Sequence, residues 1–234
     1  MTPRVPPLAI LYDVHGNLPA LEGVLADARE AGAERFVLGG DYALFGPFPL
    51  ETVSELERLP AASWIRGNVD RWTAHPEQAP DDEFVPAAIE ACLEALSPET
   101  IAQLDALPEQ FVGEGTRYCH ASPVSDMRSF LAQPTEDEDE LLEGIGERRV
   151  VFGHTHLQFR RTRPDGIELI NPGSVGMPMD GDVRAAYALR HEDDSVELRR
   201  VAYDNQGTAA TMLTRFTEEP WVTRTVERLR TGKP

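Results

Sequence analysis

Short apolar runs alternate with amphipathic segments along the first part of the chain. Residues 8–12 form an apolar run typical of a buried strand, and apolar side chains recur at helical spacing from 18 to 31. Further runs at 35–38 and 62–65 predict two more strands, with a helix between them at 49–59. Strands that alternate with helices in this way predict an α/β fold with a layered, partly parallel sheet.

The pattern then becomes more helical, and later more strand-rich. One helical stripe covers 87–96, and Ser97-Pro98 is typical of the start of a second helix that reaches 107. We therefore expect a small helical insertion at about 71–108. The remaining predicted strands are 118–120, 149–152, 157–162, 167–170, 185–189 and 196–201.

An acidic run lies between two of these later strands. Residues 136–140 are all Asp or Glu, and Thr135 and Glu138 stand at the spacing of a helix-capping pair. Because carboxylates interact favourably with the dipole at the start of a helix, we expect this run to be the solvated beginning of one. The alternative is a metal site or a patch for a basic partner.

Composition and charge narrow the classes of function. The 234 residues, 41% of them hydrophobic, can build one sizeable core, so we interpret 1–234 as a single domain with a tail from about 218. The tail packs either on the body or on a second subunit, which keeps a homo-oligomer open. The net charge of −18 disfavours binding to extended nucleic acid, because contacts with a phosphate backbone need clustered Lys and Arg.

Location and redox state are predicted from two further features. The apolar run at 8–12 is too short for a signal peptide or a membrane span, which predicts a cytoplasmic protein with no membrane partner. Cys92 and Cys119 have neither the number nor the spacing of a disulfide framework or a zinc knuckle, so we expect both to be packing residues.

Side chains able to bind metals follow the predicted strands. Taken singly, each has an ordinary interpretation as a helix cap, a turn asparagine or a core histidine bonded to a carbonyl. Their shared position matters because α/β folds assemble their sites at strand ends. In chain order they are Asp13, His15, Asp41, Asn68, His120, His154 and His156.

The order of the motifs around these residues is more specific than any one of them. The motifs are D-V-H-G-N from Asp13, G-D from Gly40, G-N-V-D from Gly67, a single histidine at 120, G-H-T-H from Gly153 and N-P-G-S from Asn171. Over roughly 8–201 the chain resembles the calcineurin-like metallophosphoesterase superfamily, specifically its small bacterial and archaeal phosphodiesterase-type members. The resemblance implies a four-layer α/β/β/α sandwich of two mixed β-sheets flanked by helices.

The resemblance also implies a dinuclear metal centre. One ion would be held by Asp13, His15, Asp41 and His156, and the other by Asp41, Asn68, His120 and His154. Independently of the family, a bridging carboxylate and neutral imidazoles suit a pair of divalent ions. Nitrogen and oxygen ligands without thiolates favour Mn, Fe, Ni, Co or Zn in a catalytic role over a structural cysteine-type zinc site.

The activity implied is hydrolysis of a phosphoric ester by direct attack of a metal-bridging hydroxide. Asp41, Asn68 and His120 are then catalytic residues as well as ligands. A phosphodiesterase acting on a small soluble ester is favoured over a phosphomonoesterase or protein phosphatase. A non-catalytic scaffold or a metal sensor that keeps the site is the alternative from another class.

The chain departs from the family pattern at one position. Many members have histidine after G-N, whereas this chain has Val69, so we expect slow hydrolysis of esters with poor leaving groups. His75 could replace that histidine, although an exposed loop histidine is the simpler interpretation. Asn17, Phe45 and Arg66 are candidate substrate contacts. They could equally be a helix cap, lid packing and a structural ion pair, respectively.

Overall fold

The computed structural model of the protein describes residues 5–216 and 219–234. Its strands are β1 (Leu8–Leu11), β2 (Arg35–Leu38), β3 (Ala62–Trp64), β4 (Gln110–Gly113), β5 (Thr116–Cys119), β6 (Arg149–Val151), β7 (Phe159–Thr162), β8 (Glu168–Asn171), β9 (Ala185–Arg190) and β10 (Val196–Val201). Its α-helices are α1 (Leu18–Glu30), α2 (Pro49–Glu57), α3 (Asn68–Ala74), α4 (Val85–Ala95), α5 (Pro98–Asp105), α6 (Glu138–Leu141), α7 (Asn205–Arg215) and α8 (Pro220–Thr231).

The described strands form two five-stranded mixed sheets. In the first, of order β10-β9-β1-β2-β3, β1 to β3 run parallel and β9 pairs antiparallel with both β1 and β10. In the second, of order β4-β5-β6-β8-β7, β5, β6 and β8 run parallel and β4 and β7 are antiparallel edges. Parallel strands end at the same edge of a sheet, which brings the loops that follow them together.

Strand β1 shows how the layers share apolar side chains. Ala9 and Leu11 pack into the core cluster that includes α1. Leu8 and Ile10 face the other way and share a cluster with Val151 of the second sheet. Successive side chains of a strand point to opposite faces, so a strand covered on both faces is apolar at every position. This explains the uninterrupted apolar run at the start of the chain.

The outer layers complete the sandwich. Helices α1, α2, α4 and α8 contribute to the core cluster on the outer face of the first sheet. The outer face of the second sheet is covered by a segment that carries Phe130 and α6, with Leu141 and Leu142 in the same cluster as Phe152. The predicted sandwich of two mixed sheets flanked by helices is confirmed.

The acidic run differs from the prediction. The expected helix is a single turn, α6, and Glu138 is only 4% exposed, so a solvated helix start is the wrong interpretation for this residue. Arg161 and Arg163, on and just after β7, both pair with its carboxylate. Charge from a neighbouring strand therefore compensates a carboxylate that the sequence pattern assigned to solvent.

The C-terminal tail packs on the body of the protein. Its predicted start at Glu218 lies outside the described residues, but α8 buries Trp221 and Val222 in the main core cluster and lies against α7. The segment 71–108 contains α4 and α5, as expected for a helical region, and its status as an insertion stays a prediction. In the described ranges, none of the helices combines the length and the apolar character needed to cross a membrane.

Candidate metal centre

All seven predicted ligand side chains meet where the strands of the two sheets end. Asp13 and His15 follow β1, Asp41 follows β2, and Asn68 is the first residue of α3. His120 follows β5, and the two histidines of G-H-T-H follow β6. The two sheets stack with these ends on the same side, so loops far apart in sequence share one buried site.

The backbone at these residues is unusual. Positive φ angles occur at Asp13 (54°), His15 (49°), Asp41 (61°), His154 (66°) and His156 (58°). The left-handed region disfavours residues with a side chain, so such angles persist only where the surroundings hold them. Non-glycine residues in this conformation cluster at functional sites, and here they coincide with the predicted ligands.

Four side chains form a tight group around one point. Ligand atoms of Asp13, His15, Asp41 and His156 all lie within 4.8 Å of one another. The Nε2 atoms of the two imidazoles are 3.1 Å apart. Each ring lies with its Nδ1 within hydrogen-bond reach of a backbone carbonyl, that of Leu44 at 3.0 Å for His15 and that of Met177 at 2.6 Å for His156.

This arrangement fits a cation. If each Nδ1 donates its proton to the carbonyl, both Nε2 atoms carry lone pairs that face each other beside two carboxylates. Such a contact is repulsive unless a positive ion lies between the atoms. A hydrogen bond from the second ring nitrogen to a carbonyl is also the usual way in which a protein orients a metal-binding histidine.

A second group of donors adjoins the first. Asn68 Oδ1 lies 2.9 Å from His120 Nε2 and 2.9 Å from His154 Nδ1. Asp41 Oδ2 is 3.3 Å from His120 Nε2, and the Nδ1 of that ring faces the carbonyl of Gly39 at 2.8 Å. Oxygen and nitrogen atoms thus converge on this side of Asp41 as well.

The charges in the site are strongly coupled. Burial lowers the pKa of His15 and of His156, so both imidazoles are neutral at pH 7. Burial acts in the same direction on His120, but the neighbouring carboxylates, Asp41 foremost, outweigh it and raise the pKa of His120 to about 10. A proton on His120 therefore compensates the buried carboxylates, and a bound metal ion would take over that role.

Comparison with known protein families agrees with this group of donors. Residues 7–195 match the model of the calcineurin-like phosphoesterase superfamily domain. The chain belongs to this superfamily. The family is metal-dependent, in agreement with the four-residue group around Asp13.

Individual relatives agree with this assignment. An uncharacterized protein of Methanocaldococcus jannaschii is 29% identical over 218 residues, covering 84% of this chain and 88% of the relative. The phosphodiesterase YfcE of Escherichia coli K12 is 26% identical over 195 residues, covering 80% of this chain and 88% of YfcE. The crystal structure of a metallophosphoesterase from Sphaerobacter thermophilus has a TM-score of 0.82 at 27% identity, covering 97% of this chain and 99% of that one.

Asp70 supports the phosphoesterase site in a way that the sequence analysis missed. Its carboxylate accepts hydrogen bonds from the backbone N–H groups of Gly67 (2.8 Å), Asp41 (2.9 Å) and Tyr42 (3.1 Å). It therefore holds the backbone of Asp41 in its strained conformation while capping α3. An acidic residue three positions after Gly67, at the start of a helix, was the available signal.

A second support comes from the N-P-G-S motif. The hydroxyl of Ser174 donates to the carbonyl of Asp13 at 2.7 Å and accepts from the N–H of Met177 at 2.8 Å. The Met177 carbonyl then faces His156, as described above. The loop therefore connects the backbone of one ligand to the imidazole of another.

Close backbone approach explains two glycines of the phosphoesterase motifs. Gly40 has φ +94°, and a Cβ there would lie 2.7 Å from the Cα of Gly67. A Cβ on Gly67 would lie 2.1 Å from Oδ1 of Asp41. Only glycine fits at either position without moving the carboxylate between the two donor groups.

The predicted substrate contacts have mixed surroundings. Asn17 caps α1 by accepting from the N–H of Ala20 at 3.3 Å and donates to the carbonyl of Gly176 at 2.7 Å. Arg66 forms ion pairs with Asp105 and Glu109, each at 2.9 Å. These contacts are the structural alternatives considered for both residues, and their roles in substrate binding stay predictions.

Phe45 is better placed beside the metal centre. Its ring centroid is 5.9 Å from that of His15, so the aromatic loop after Asp41 borders the first donor group.

Val69 is buried in the core, and its N–H donates to Asp41 at 3.1 Å. His75 faces Asp105, with its Nε2 3.1 Å from the carboxylate. Because the side chain of Val69 is aliphatic, it has no proton to give to a leaving group.

Proposed function

We propose that this phosphoesterase holds two divalent transition-metal ions and hydrolyses a small soluble phosphodiester. The observation that carries the proposal is the position of Asp41 between the two donor groups. Its Oδ2 lies 3.8 Å from His15 Nε2 on one side and 3.3 Å from His120 Nε2 on the other. A carboxylate shared in this way is what a two-metal site requires.

The donor residues define which ion each of them would hold and what the two ions would do. Two bound ions would lower the pKa of water and neutralise charge on the phosphate. Asp13, His15 and His156 would hold one ion, Asn68, His120 and His154 the other, and Asp41 both. Neutral imidazoles leave the positive charge of the ions available to attract an anionic substrate to an acidic protein. Mn, Fe, Ni, Co or Zn suits this donor set.

Likeness to a relative supports a diester substrate, and one substitution restricts the leaving group. YfcE, at 26% identity, is named a phosphodiesterase. Val69 supplies no general acid, so the leaving oxygen must depart without a proton from this position. Esters with acidic leaving groups are therefore the substrates that the chain would hydrolyse best.

A cavity beside the second donor group supports a small substrate. It measures about 250 Å³ and is lined by Arg71, Gln110, His120, Ser122, Val124 and Asp126, among others. Arg71 forms a two-pronged ion pair with Asp126, at 2.7 and 3.0 Å. The cavity would hold the organic part of the ester next to His120. Its size suits a small molecule better than a nucleic-acid strand, in line with the negative net charge.

The function is tested with bis-p-nitrophenyl phosphate and p-nitrophenyl phosphate, each with Mn²⁺, Ni²⁺, Co²⁺ or EDTA. We expect metal-dependent hydrolysis that favours the diester. Asp41→Asn should reduce turnover more than about 100-fold, since even the loss of a ligand's supporting partner lowers metal affinity or activity 10–100-fold. Metal binding without hydrolysis at high enzyme concentration would identify a sensor or scaffold instead. A preference for the monoester would replace phosphodiesterase by phosphomonoesterase.

The cavity is tested by filling it. Val124 lines it and is 51% exposed, so Val124→Trp should leave the fold intact and obstruct the organic part of the substrate. We expect KM for bis-p-nitrophenyl phosphate to rise about tenfold or more, with unchanged metal content, because overfilling a packed space costs about 1–3 kcal/mol. Val112→Trp, at a 49% exposed position of β4, is the matched control and should leave KM unchanged. Equal KM values for the two variants would place the substrate elsewhere.

A further inference from the structure

The arginines of α8 differ from the others in the structure. In the described part of the chain, every arginine outside α8 has a carboxylate oxygen within 4 Å. No such partner is found there for Arg224, Arg228 or Arg230. In a protein with a net charge of −18, an arginine without a carboxylate partner is an unusual arrangement.

Arg228 is the one of these three that is drawn into the protein. Its side chain is half-buried, its Nε has no hydrogen-bond partner among residues 5–216 and 219–234, and its Nη1 lies 3.9 Å from the sulfur of Met177. Arg230 is exposed, and Arg224 lies over the ring of Phe84 at 4.7 Å. Burial and the charge of Arg224 lower the pKa of Arg228 to about 10, so the guanidinium is still protonated at pH 7.

The contact with Met177 places this cation next to the metal centre. The carbonyl of Met177 faces His156 at 2.6 Å, and Gly181 of the same loop donates to Gly232 at the end of α8 at 2.7 Å. Helix α8 therefore packs against the loop that orients a ligand histidine. His156 Nε2 in turn lies 3.1 Å from His15 Nε2, so Arg228 adjoins the side of the site that carries these two histidines.

An unpaired, partly desolvated guanidinium favours an anionic partner. Its N–H groups form charge-assisted hydrogen bonds with phosphate oxygens in a geometry that matches the planar fork. Arg71 lines the cavity on the His120 side and is already paired with Asp126, and Arg66 is paired with Asp105 and Glu109. On the side of His15 and His156, Arg228 is therefore the cation available to an anionic ligand. It belongs to a helix beyond the residues 7–195 that match the family model.

We infer that Arg228 binds a phosphoryl oxygen of the substrate on the His15 side of the metal centre. The inference rests on the proposed function, because it needs a phosphate-bearing ligand at the metals. The organic part of the ester would then lie on the opposite side, in the cavity beside His120. Either the reacting phosphate or a second phosphoryl group could supply the oxygen. In the first case Arg228 contributes to the binding of phosphate and of diphosphate, and in the second case to the binding of diphosphate alone.

The test is calorimetric titration of the metal-loaded protein with inorganic phosphate and, separately, with diphosphate. Arg228→Met keeps much of the side-chain volume and removes the charge, and should weaken binding about tenfold or more, as expected for a lost charge-assisted hydrogen bond. Arg228→Lys, which keeps the charge but not the fork, should fall in between. Equal weakening for both anions identifies the reacting phosphate, and weakening for diphosphate alone identifies a second phosphoryl group.

Arg230→Met is the matched control on the same helix and should bind both anions as the wild type does. Metal content is measured before and after each titration. The inference is wrong if Arg228→Met binds both anions normally, if the wild type binds neither, or if Arg228→Met loses metal along with affinity, which would show that Arg228 only supports the Met177 loop. A wild type that binds phosphate through Arg228 but hydrolyses no ester would contradict the proposed function alone.

Discussion

Alanine in place of His156 should leave the protein with about half of its bound metal, and His154→Ala should do the same at the other ion. The reason is geometric. His156 Nε2 belongs to the group around Asp13, at 3.6 Å from its carboxylate, whereas His154 Nδ1 lies 2.9 Å from Asn68. Each substitution removes one donor from one group. Loss of a ligand should lower the affinity for the ion bound by that group by more than about 100-fold. Metal content after dialysis measures the result.

Two double variants separate the ions. His15→Ala combined with His156→Ala removes two donors from the same group, so about one ion should remain. His154→Ala combined with His156→Ala removes one donor from each group, so almost no metal should remain. His75→Ala is the control, because that residue pairs with Asp105 outside both groups. Full metal content together with a lower melting temperature would show that these are ordinary core histidines.

The positions of the site residues could be predicted from the sequence, but their spacing could not. Asp13, Asp41 and His120 were identified because each follows an apolar run, and strand ends meet at one edge of a sheet. The contact between His15 and His156 joins residues far apart in the chain and depends on how the two sheets stack. No local pattern contains that information.

The supports of the site were harder to predict than the ligands. The carbonyls of Gly39, Leu44 and Met177 orient three imidazoles, yet any residue type supplies a carbonyl, so the sequence carries no signal for them. Asp70 is the last residue of the G-N-V-D motif, but its three contacts with backbone N–H groups depend on the path of the chain after β2. Arg228 belongs to no motif, because it stands out only by having no carboxylate partner among the described residues.

The elements that were missed lack the patterns on which prediction depends. Strand β4 is a half-exposed edge, and α3 begins inside the G-N-V-D motif, where polar site residues interrupt the helical stripe. Helix α7 buries only Thr208, Ala209 and Met212, too few apolar residues for a clear period. Tertiary packing, not local propensity, decides the conformation of such segments.

The largest expected effect on stability is at Glu138. Its carboxylate is buried, pairs with Arg161 and with Arg163 (2.9 Å), and accepts from the N–H of Thr135 at 3.2 Å. Glu138→Gln keeps the shape but leaves the largely buried Arg161 without a carboxylate partner among the described residues, while Arg163 keeps Asp139 and Asp165. Breaking a buried ion pair from one side destabilises a protein by about 3–5 kcal/mol. In a chain of this size, that corresponds to a melting temperature lower by roughly 6–20 °C.

Asp139→Asn provides the matched control for this variant. Asp139 contacts the same Arg163 at 2.6 Å, but its side chain is 90% exposed, so water replaces the lost interaction and the melting temperature should not change measurably. Thermal unfolding followed by circular dichroism measures both variants. Below its melting temperature, Glu138→Gln should retain its metal, because Glu138 covers the outer face of the second sheet and contacts none of the proposed ligands. Equal melting temperatures for the two variants would show that the acidic run is solvated after all, and that the buried pairing at Glu138 does not stabilise the fold.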